Sequence, residues 1–365
     1  MRILQLIFNL GSGGAEKFTV DLCNELSKKN DVILCVIQKE SKDLSFFRQQ
    51  VNENVKYKNL GCRKGINMLT FFTIFRLIQK VKPEVVHAHL NTKIYLFLPS
   101  IFFKSKIKFV HTIHSLAEKD VGFQFQKQLN NYFYSRRFIN AVSISKECNT
   151  SFINFYKNIE VNLIENGASP LLKTKDFQKV KYELESLKNN TTDLVFIHVG
   201  RFSKEKNQKL LVNVFNRFFK NNINSILLII GPNYDIPEAK ILRGNSNQKI
   251  HYLGAKQNVA DYLLNSDVFV LTSQWEGLPI SLLEAMSCGV IPVCTPAGGI
   301  PDVIKNDTIG FLSKDFLEEE FYLALIKCVE KIDVFDRDNL INFFKINYSM
   351  EKCTERYIQI YQGKE

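Results

Sequence analysis

Twice along its length the sequence alternates short apolar runs with segments of helical spacing, and this rhythm constrains the fold more than any other feature. The runs at residues 3–8, 32–37, 85–89, 109–113 and 141–145 have the length and closing turns of buried strands. Residues 15–27 and 69–81 between them carry apolar positions at helical spacing. The rhythm pauses over residues 170–193, where Lys173, Lys175, Lys179, Lys181, Lys188, Asn189 and Asn190 accumulate. It then resumes with strands at 194–199, 225–230, 250–253, 268–271 and 290–294, and helices at 210–219 and 279–287. A last helical stretch covers 350–361, with Tyr357, Ile358 and Tyr361 on one side. Alternation of this kind implies a parallel sheet covered on both faces. Two series imply two such domains, and 365 residues are enough for two cores.

Composition excludes several classes. A hydrophobic fraction of 45% with 23% charged residues is that of an ordinary globular chain. No run reaches the roughly 18 apolar residues needed to span a bilayer, residues 94–103 being the nearest. The apolar N-terminal run ends at once in Gly11-Ser12-Gly13-Gly14 and reads as a first strand rather than an export signal, which points to the cytoplasm. The eight cysteines form no C-x-x-C pair and read as small core residues in a reducing compartment. The net charge of +11 is one-sided: residues 1–170 hold 24 Lys/Arg against 13 Asp/Glu, whereas residues 171–365 hold 24 of each. A basic first half points to an anionic partner there: a membrane surface, a lipid phosphate or nucleic acid.

In doubly wound sheets ligands bind at the carboxyl ends of the strands, so the loops after strands are where chemistry is sought. The most specific one follows the strand at 268–271: Glu276-Gly277-Leu278-Pro279-Ile280-Ser281-Leu282-Leu283-Glu284. Gly277 allows a close backbone approach and Pro279 suits the first position of a helix. The helix start offers free N–H groups to a phosphate, and Glu276 and Glu284 beside it are natural acceptors for sugar and ribose hydroxyls. A second loop, Gly200-Arg201-Phe202-Ser203-Lys204-Glu205-Lys206-Asn207, follows the strand at 194–199. Arg201 can fork onto a phosphate and Lys206 adds a point charge, so the pair could neutralise a diphosphate without a metal. The Gly13-Gly14 turn after the first strand matches a dinucleotide-binding pattern only loosely. At 111–114, alternation sets His111 and Ile113 on one side and Thr112 and His114 on the other, with His114 nearer the carboxyl end. His87 and His89 share a strand face, but no third ligand follows at metal-site spacing, so no metal is expected.

Together these residues resemble the retaining glycosyltransferases of family four, which have the GT-B fold. The resemblance extends over nearly the whole chain: Gly13-Gly14-Ala15-Glu16, residues 83–89, His114, Asn166-Gly167, Gly200-Arg201 with Lys206, and the E-x7-E element from Glu276 to Glu284. It implies an α/β architecture of two Rossmann-like, doubly wound parallel-sheet domains facing across a cleft. Residues 1–168 would form the acceptor-side domain, residues 169–347 the donor-binding domain, and a helix at 348–365 would cross back onto the first. By the same resemblance Arg201 and Lys206 bind the donor diphosphate, Glu284 the ribose and Glu276 the transferred sugar. Gly13, Gly14, Gly277, Leu278 and Pro279 complete the donor site, and His114 lies by the reaction centre. Asn207 stands where many relatives have glycine, and Ser115 where many have aspartate, which bears on the hydroxyls the donor sugar presents.

The implied reaction moves one sugar from a nucleoside diphosphate donor to a glycan or polyprenyl-linked acceptor with retained anomeric configuration. No metal or other cofactor would be needed, and no nucleic acid would take part. Bacterial surface-polysaccharide assembly is the fitting setting, on the inner face of the membrane. The basic stretches at 63–82 and 94–108 mix apolar residues with lysines and could dock on an anionic membrane. Two other readings remain open, a sugar-nucleotide epimerase on a similar frame and a non-catalytic sugar-nucleotide sensor; an NAD-dependent oxidoreductase read from the first glycine loop is opposed by the absent G-x-G-x-x-G and by the clamp in the second half.

Overall fold

A computed structural model describes residues 1–65, 67–122, 124–157, 159–188, 190–220 and 224–363. Asn189 of the polar pause, Ile66 of the basic stretch and residues 364–365 of the terminal segment lie outside the described residues. The chain divides into two compact units, Met1–Gly167 with Met350–Glu365, and Ala168–Ser349.

Unit 1 is built on seven strands: β1 (Arg2–Ile7), β2 (Asp31–Gln38), β3 (Lys56–Cys62), β4 (Val85–His89), β5 (Lys108–Ile113), β6 (Asn140–Ser143) and β7 (Asn162–Leu163). All pair in parallel, in the order β3-β2-β1-β4-β5-β6-β7. Unit 2 has six: β8 (Leu194–Val199), β9 (Ser225–Ile230), β10 (Ile250–Gly254), β11 (Val268–Leu271), β12 (Ile291–Cys294) and β13 (Phe311–Leu312). They are again parallel, in the order β10-β9-β8-β11-β12-β13. Both sheets are Rossmann-like. Strand order reverses between β1 and β4 in one and between β8 and β11 in the other, and such switch points open crevices at strand carboxyl ends.

The central strands are buried on both faces, which is why they read as continuous apolar runs; β9 and β11 are buried throughout. The helix Gln208–Lys220 packs Phe215 and Phe218 against Phe196 of β8, with ring centroids 5.1 and 5.4 Å apart. Ser145 starts the helix Lys146–Phe155 by accepting from the Cys148 amide at 3.2 Å. The terminal helix Met350–Gln362 buries Met350, Cys353, Thr354, Tyr357, Ile360 and Tyr361. Ile360 joins the two tyrosines as a buried residue, and Ile358, three residues before Tyr361, is half-buried at the edge of the same side.

Three edge strands differ from expectation. β3 alternates lysines with half-buried residues, and β7 and β13 have two residues each, so none shows an apolar run. The polar pause also contains a helix, Phe177–Leu187, which buries only Val180 and Leu184, one turn apart. Its other positions are exposed or half-buried, and that masked the period. No helix among the described residues is long and apolar enough to cross a membrane. Residues 94–103 fold instead as the end of a 3-10 segment, Leu90–Leu96, and a short helix, Phe97–Phe103. All eight cysteines are free.

Candidate active site

In unit 2 the loops after β8 and β11, on either side of the switch point, are tied together. The Thr272 hydroxyl donates to the Lys206 and Asn207 carbonyls, both at 3.1 Å, and the Gln274 amide donates to the Glu205 carbonyl at 2.8 Å. This brings Lys206 Nζ to 2.7 Å from Glu276 Oε1, a pair whose side chains are 16% and 12% exposed. Ser273 donates to the same carboxylate oxygen at 2.6 Å. Two residues 70 positions apart in sequence thus present a cation and a carboxylate at one point.

Arg201 is half exposed and pairs with Glu205 at 2.6 Å. Partial burial works against the Glu205 charge, but the Arg201 guanidinium holds its carboxyl below the usual range. Two residues that the sequence did not single out fix this loop. Buried Gln208 donates to the Arg201 carbonyl at 2.8 Å and accepts from the Ser203 amide at 3.3 Å. His198 donates from Nδ1 to the Val270 carbonyl at 3.0 Å, leaving Nε2 to face Gln208 at 3.3 Å. Burial, helped by nearby Lys206, lowers His198 to about 4, so it is a neutral strut near pH 7. A glutamine at the first position of an amphipathic helix, buried where the pattern expects solvent, carries no sequence signal of this role.

The E-x7-E element departs from expectation at its helix start. The helix is Ile280–Ser287, with Pro279 as N-cap in extended conformation rather than as its first residue, and no side chain caps it. Pro fits there because its fixed φ, −71° here, suits the chain just before the first turn. Leu278 and Pro279 are buried, and Glu284 is 8% exposed within the helix. A close backbone approach at this loop is made by a second glycine, Gly298. A Cβ on Gly298, whose φ is +61°, would lie 2.2 Å from the Glu276 carbonyl, while the Gly299 amide donates to the Gly277 carbonyl at 2.7 Å.

In unit 1, Gly13 is the N-cap of the helix Gly14–Leu26, also without a side-chain cap. A Cβ on Gly13 would lie 2.2 Å from Glu16 Oε2, so the glycine makes room for a carboxylate folded back over the turn. His114 is half-buried just beyond β5, with Nε2 3.1 Å from His89 Nδ1 and its ring against Phe18, centroids 5.4 Å apart. Burial lowers His114 to about 3, so its imidazole is neutral at ordinary pH. The segment after it is pinned by Lys93, fully buried, which donates to the Asp120 carbonyl at 3.0 Å and pairs with its carboxylate.

The chain matches two family descriptions along nearly its whole length: Glycosyltransferase Family 4 over residues 12–168 and Glycosyl transferases group 1 over residues 181–340. It is 24% identical over 318 residues, 82% of this chain and 81% of the relative, to the Escherichia coli UDP-Gal:alpha-D-GlcNAc-diphosphoundecaprenol alpha-1,3-galactosyltransferase. It is 23% identical over 381 residues, 100% and 99% of the two chains, to the capsular polysaccharide biosynthesis glycosyltransferase CapH of Staphylococcus aureus. Among solved structures, Anabaena HepE in complex with UDP-glucose is similar with a TM-score of 0.78 at 16% identity, covering all of both chains. This likeness shows the fold, GT-B with two Rossmann-like domains. The chain belongs to the group 1 glycosyltransferases, family four, and is a glycosyltransferase.

Proposed function

We propose that the enzyme transfers one sugar from a nucleoside diphosphate donor to a glycan or polyprenyl-linked acceptor with retention at the anomeric carbon. The observation that carries this reading is the Lys206–Glu276 pair at 2.7 Å. In a nucleoside diphosphate sugar the outer phosphate and the sugar are bonded neighbours. Groups that grip them must be neighbours too, one cationic and one able to accept hydroxyls. Lys206 and Arg201 would stabilise the charge that grows on the departing diphosphate, with the uncapped start of the helix Ile280–Ser287 adding its N–H groups. Glu276 would hold sugar hydroxyls and Glu284 the ribose. In unit 1, His114 is the group assigned to the transferred sugar, and Gly13 and Gly14 to the donor. With two cationic side chains facing the diphosphate, no metal is required of the site. The leaving group's own phosphate oxygen would take the acceptor proton as the acceptor attacks from the same face.

Relatives support the acceptor class. The galactosyltransferase named above acts on a diphosphoundecaprenol-linked sugar, and a Campylobacter jejuni relative, 24% identical over 345 residues, also bears the name of a diphospho-undecaprenol glycan transferase. Unit 1 carries a surface suited to such a substrate. Met68, Leu69 and Phe72 of the helix Met68–Val81 are exposed, as are Leu98, Ile101 and Phe102 of the helix Phe97–Phe103. Phe75 joins the two, its ring 5.8 Å from Phe102 and 5.2 Å from Phe103. Exposed Arg63, Lys64, Arg76, Lys104 and Lys106 lie on or beside these helices. An apolar face flanked by cations fits an anionic membrane, and we place the enzyme on the cytoplasmic face.

Titration with UDP, followed by the fluorescence of Trp275 beside Glu276, tests the donor site. Arg201→Ala and Lys206→Ala should each weaken binding by roughly tenfold or more, the worth of one charge-assisted hydrogen bond. Wild-type affinity in both would refute the site. Release of nucleoside diphosphate only when acceptor is present separates transfer from epimerisation or sensing. Vesicle flotation tests docking: recovery should rise with anionic lipid and fall in a Phe72→Ser/Phe102→Ser variant, and equal recovery on neutral and anionic vesicles would count against it.

A further inference from the structure

Unit 1 lines up a file of polar side chains on one face of its sheet: buried Gln5 of β1, His87 and His89 of β4 and Thr112 of β5, with half-buried His114 beyond it. Tyr357 and Tyr361 of the terminal helix complete it. The contacts form one unbranched chain. The Tyr357 hydroxyl is 2.8 Å from Thr112 Oγ1, which is 2.7 Å from His87 Nε2. His87 Nδ1 is 2.8 Å from the Tyr361 hydroxyl, which is 3.2 Å from Gln5 Nε2. Gln5 Oε1 is 2.8 Å from His89 Nε2, and His89 Nδ1 is 3.1 Å from His114 Nε2.

Every hydroxyl and neutral imidazole in such a chain donates once and accepts once, so the whole chain has only two directions. The Gln5 amide selects one. Its Nε2, facing Tyr361, can only donate, and its Oε1, facing His89, can only accept. His89 therefore carries its proton on Nε2 and accepts at Nδ1. His114 must then donate from Nε2, which leaves its Nδ1 as a bare lone pair. In the other direction Tyr361 accepts from Gln5 and donates to His87 Nδ1; His87 then donates from Nε2 to Thr112, whose hydroxyl donates to Tyr357. The three histidines are neutral because burial holds all of them well below the ordinary imidazole range.

We propose that Gln5 is a positioning residue that sets the tautomer of His114, through an amide whose Nε2 is anchored on the Tyr361 hydroxyl. His114 then meets the donor sugar as a hydrogen-bond acceptor at Nδ1, selecting a sugar that presents a hydroxyl there over its deoxy counterpart. This consequence rests on the assignment of His114 to the transferred sugar; the tautomer does not. A site built to pair with a hydroxyl discriminates strongly against an analogue lacking it.

Long-range proton–nitrogen correlation spectra of the full chain labelled with 15N-histidine read each tautomer directly. In the wild type His87, His89 and His114 should all carry the proton on Nε2. In Gln5→Leu, and in Tyr361→Phe, which removes a single hydroxyl and guards against misfolding of the first variant, the His114 signals should shift toward a mixture of tautomers. The kcat should fall roughly tenfold, the cost of one misdirected hydrogen bond, with the KM for the nucleotide sugar little changed. A wild-type proton on His114 Nδ1, or wild-type His114 signals in both variants, would overturn the proposal. Turnover of His114→Ala is measured separately. Unchanged turnover there removes the sugar assignment and with it the functional consequence, while the tautomer result stands on the spectra.

Discussion

Asn207 closes the clamp loop with φ 47° and ψ 48°, a left-handed conformation, and its carbonyl accepts from Thr272 at 3.1 Å. Glycine and asparagine adopt this region at lower cost than other residues, whose Cβ crowds the following carbonyl. The sequence departure at this position is thus conformationally neutral: the backbone requirement is kept by a different residue. Asn207→Gly should leave stability and donor affinity within a few tenths of a kcal/mol. Asn207→Ala should cost about 1 kcal/mol and weaken donor binding by shifting Lys206. Thermal melts and UDP titrations of the two variants check this; equal losses in both would show that the asparagine side chain, not the backbone conformation, matters. At the same scale the roles of Gln208 and Gln5 were illegible in the sequence. Each acts through where its amide points inside the fold, and residue type alone does not encode that.

At the scale of elements, the strands that set the switch points were legible because burial on both faces writes them as apolar runs. The edge strands β3, β7 and β13 were not, because half-solvated or two-residue strands carry no such pattern. The helix Phe177–Leu187 escaped for the same reason, with only two buried side chains. The loops after β8 and β11 were legible as motifs, but their mutual contact was not, since pairing Lys206 with Glu276 depends on strand order. The Glu276 loop also depends on the turn after β12, where Gly298 lies against it at φ +61°. Gly298→Ala should destabilise unit 2 by about 1–3 kcal/mol from the conformation alone and weaken donor binding as the loop is displaced. Denaturant unfolding followed by Trp275 reads the first effect and UDP titration the second. An unperturbed variant would show that the contact is slack.

At the scale of the whole molecule, unit 1 holds four histidines, His87, His89, His111 and His114, which burial keeps neutral far below their ordinary value of 6.5. The unfolded chain binds protons at these sites as pH falls below about 6.5, whereas the folded unit does not, so stability is lost on acidification. The contribution is complete above that value and declines at about 1.4 kcal/mol per pH unit for each histidine below it. Unit 2 has two such residues, His198 and His251, of which His251 is less deeply set. Between pH 7 and pH 5 the unfolding of unit 1, followed by hydrogen exchange at β4 and β5, should shift more than that of unit 2, followed by Trp275. A larger shift in unit 2 would contradict the assignment of neutral, buried imidazoles to unit 1. In the other unit, a nucleoside diphosphate sugar should bind against the clamp loop and the E-x7-E helix. A crystal structure of the enzyme with UDP-glucose tests it most directly. Phosphate oxygens should lie within hydrogen-bond distance of Arg201 and Lys206, with ribose hydroxyls on Glu284 and the sugar against Glu276. A nucleotide seated away from the carboxyl ends of β8 and β11 would contradict it.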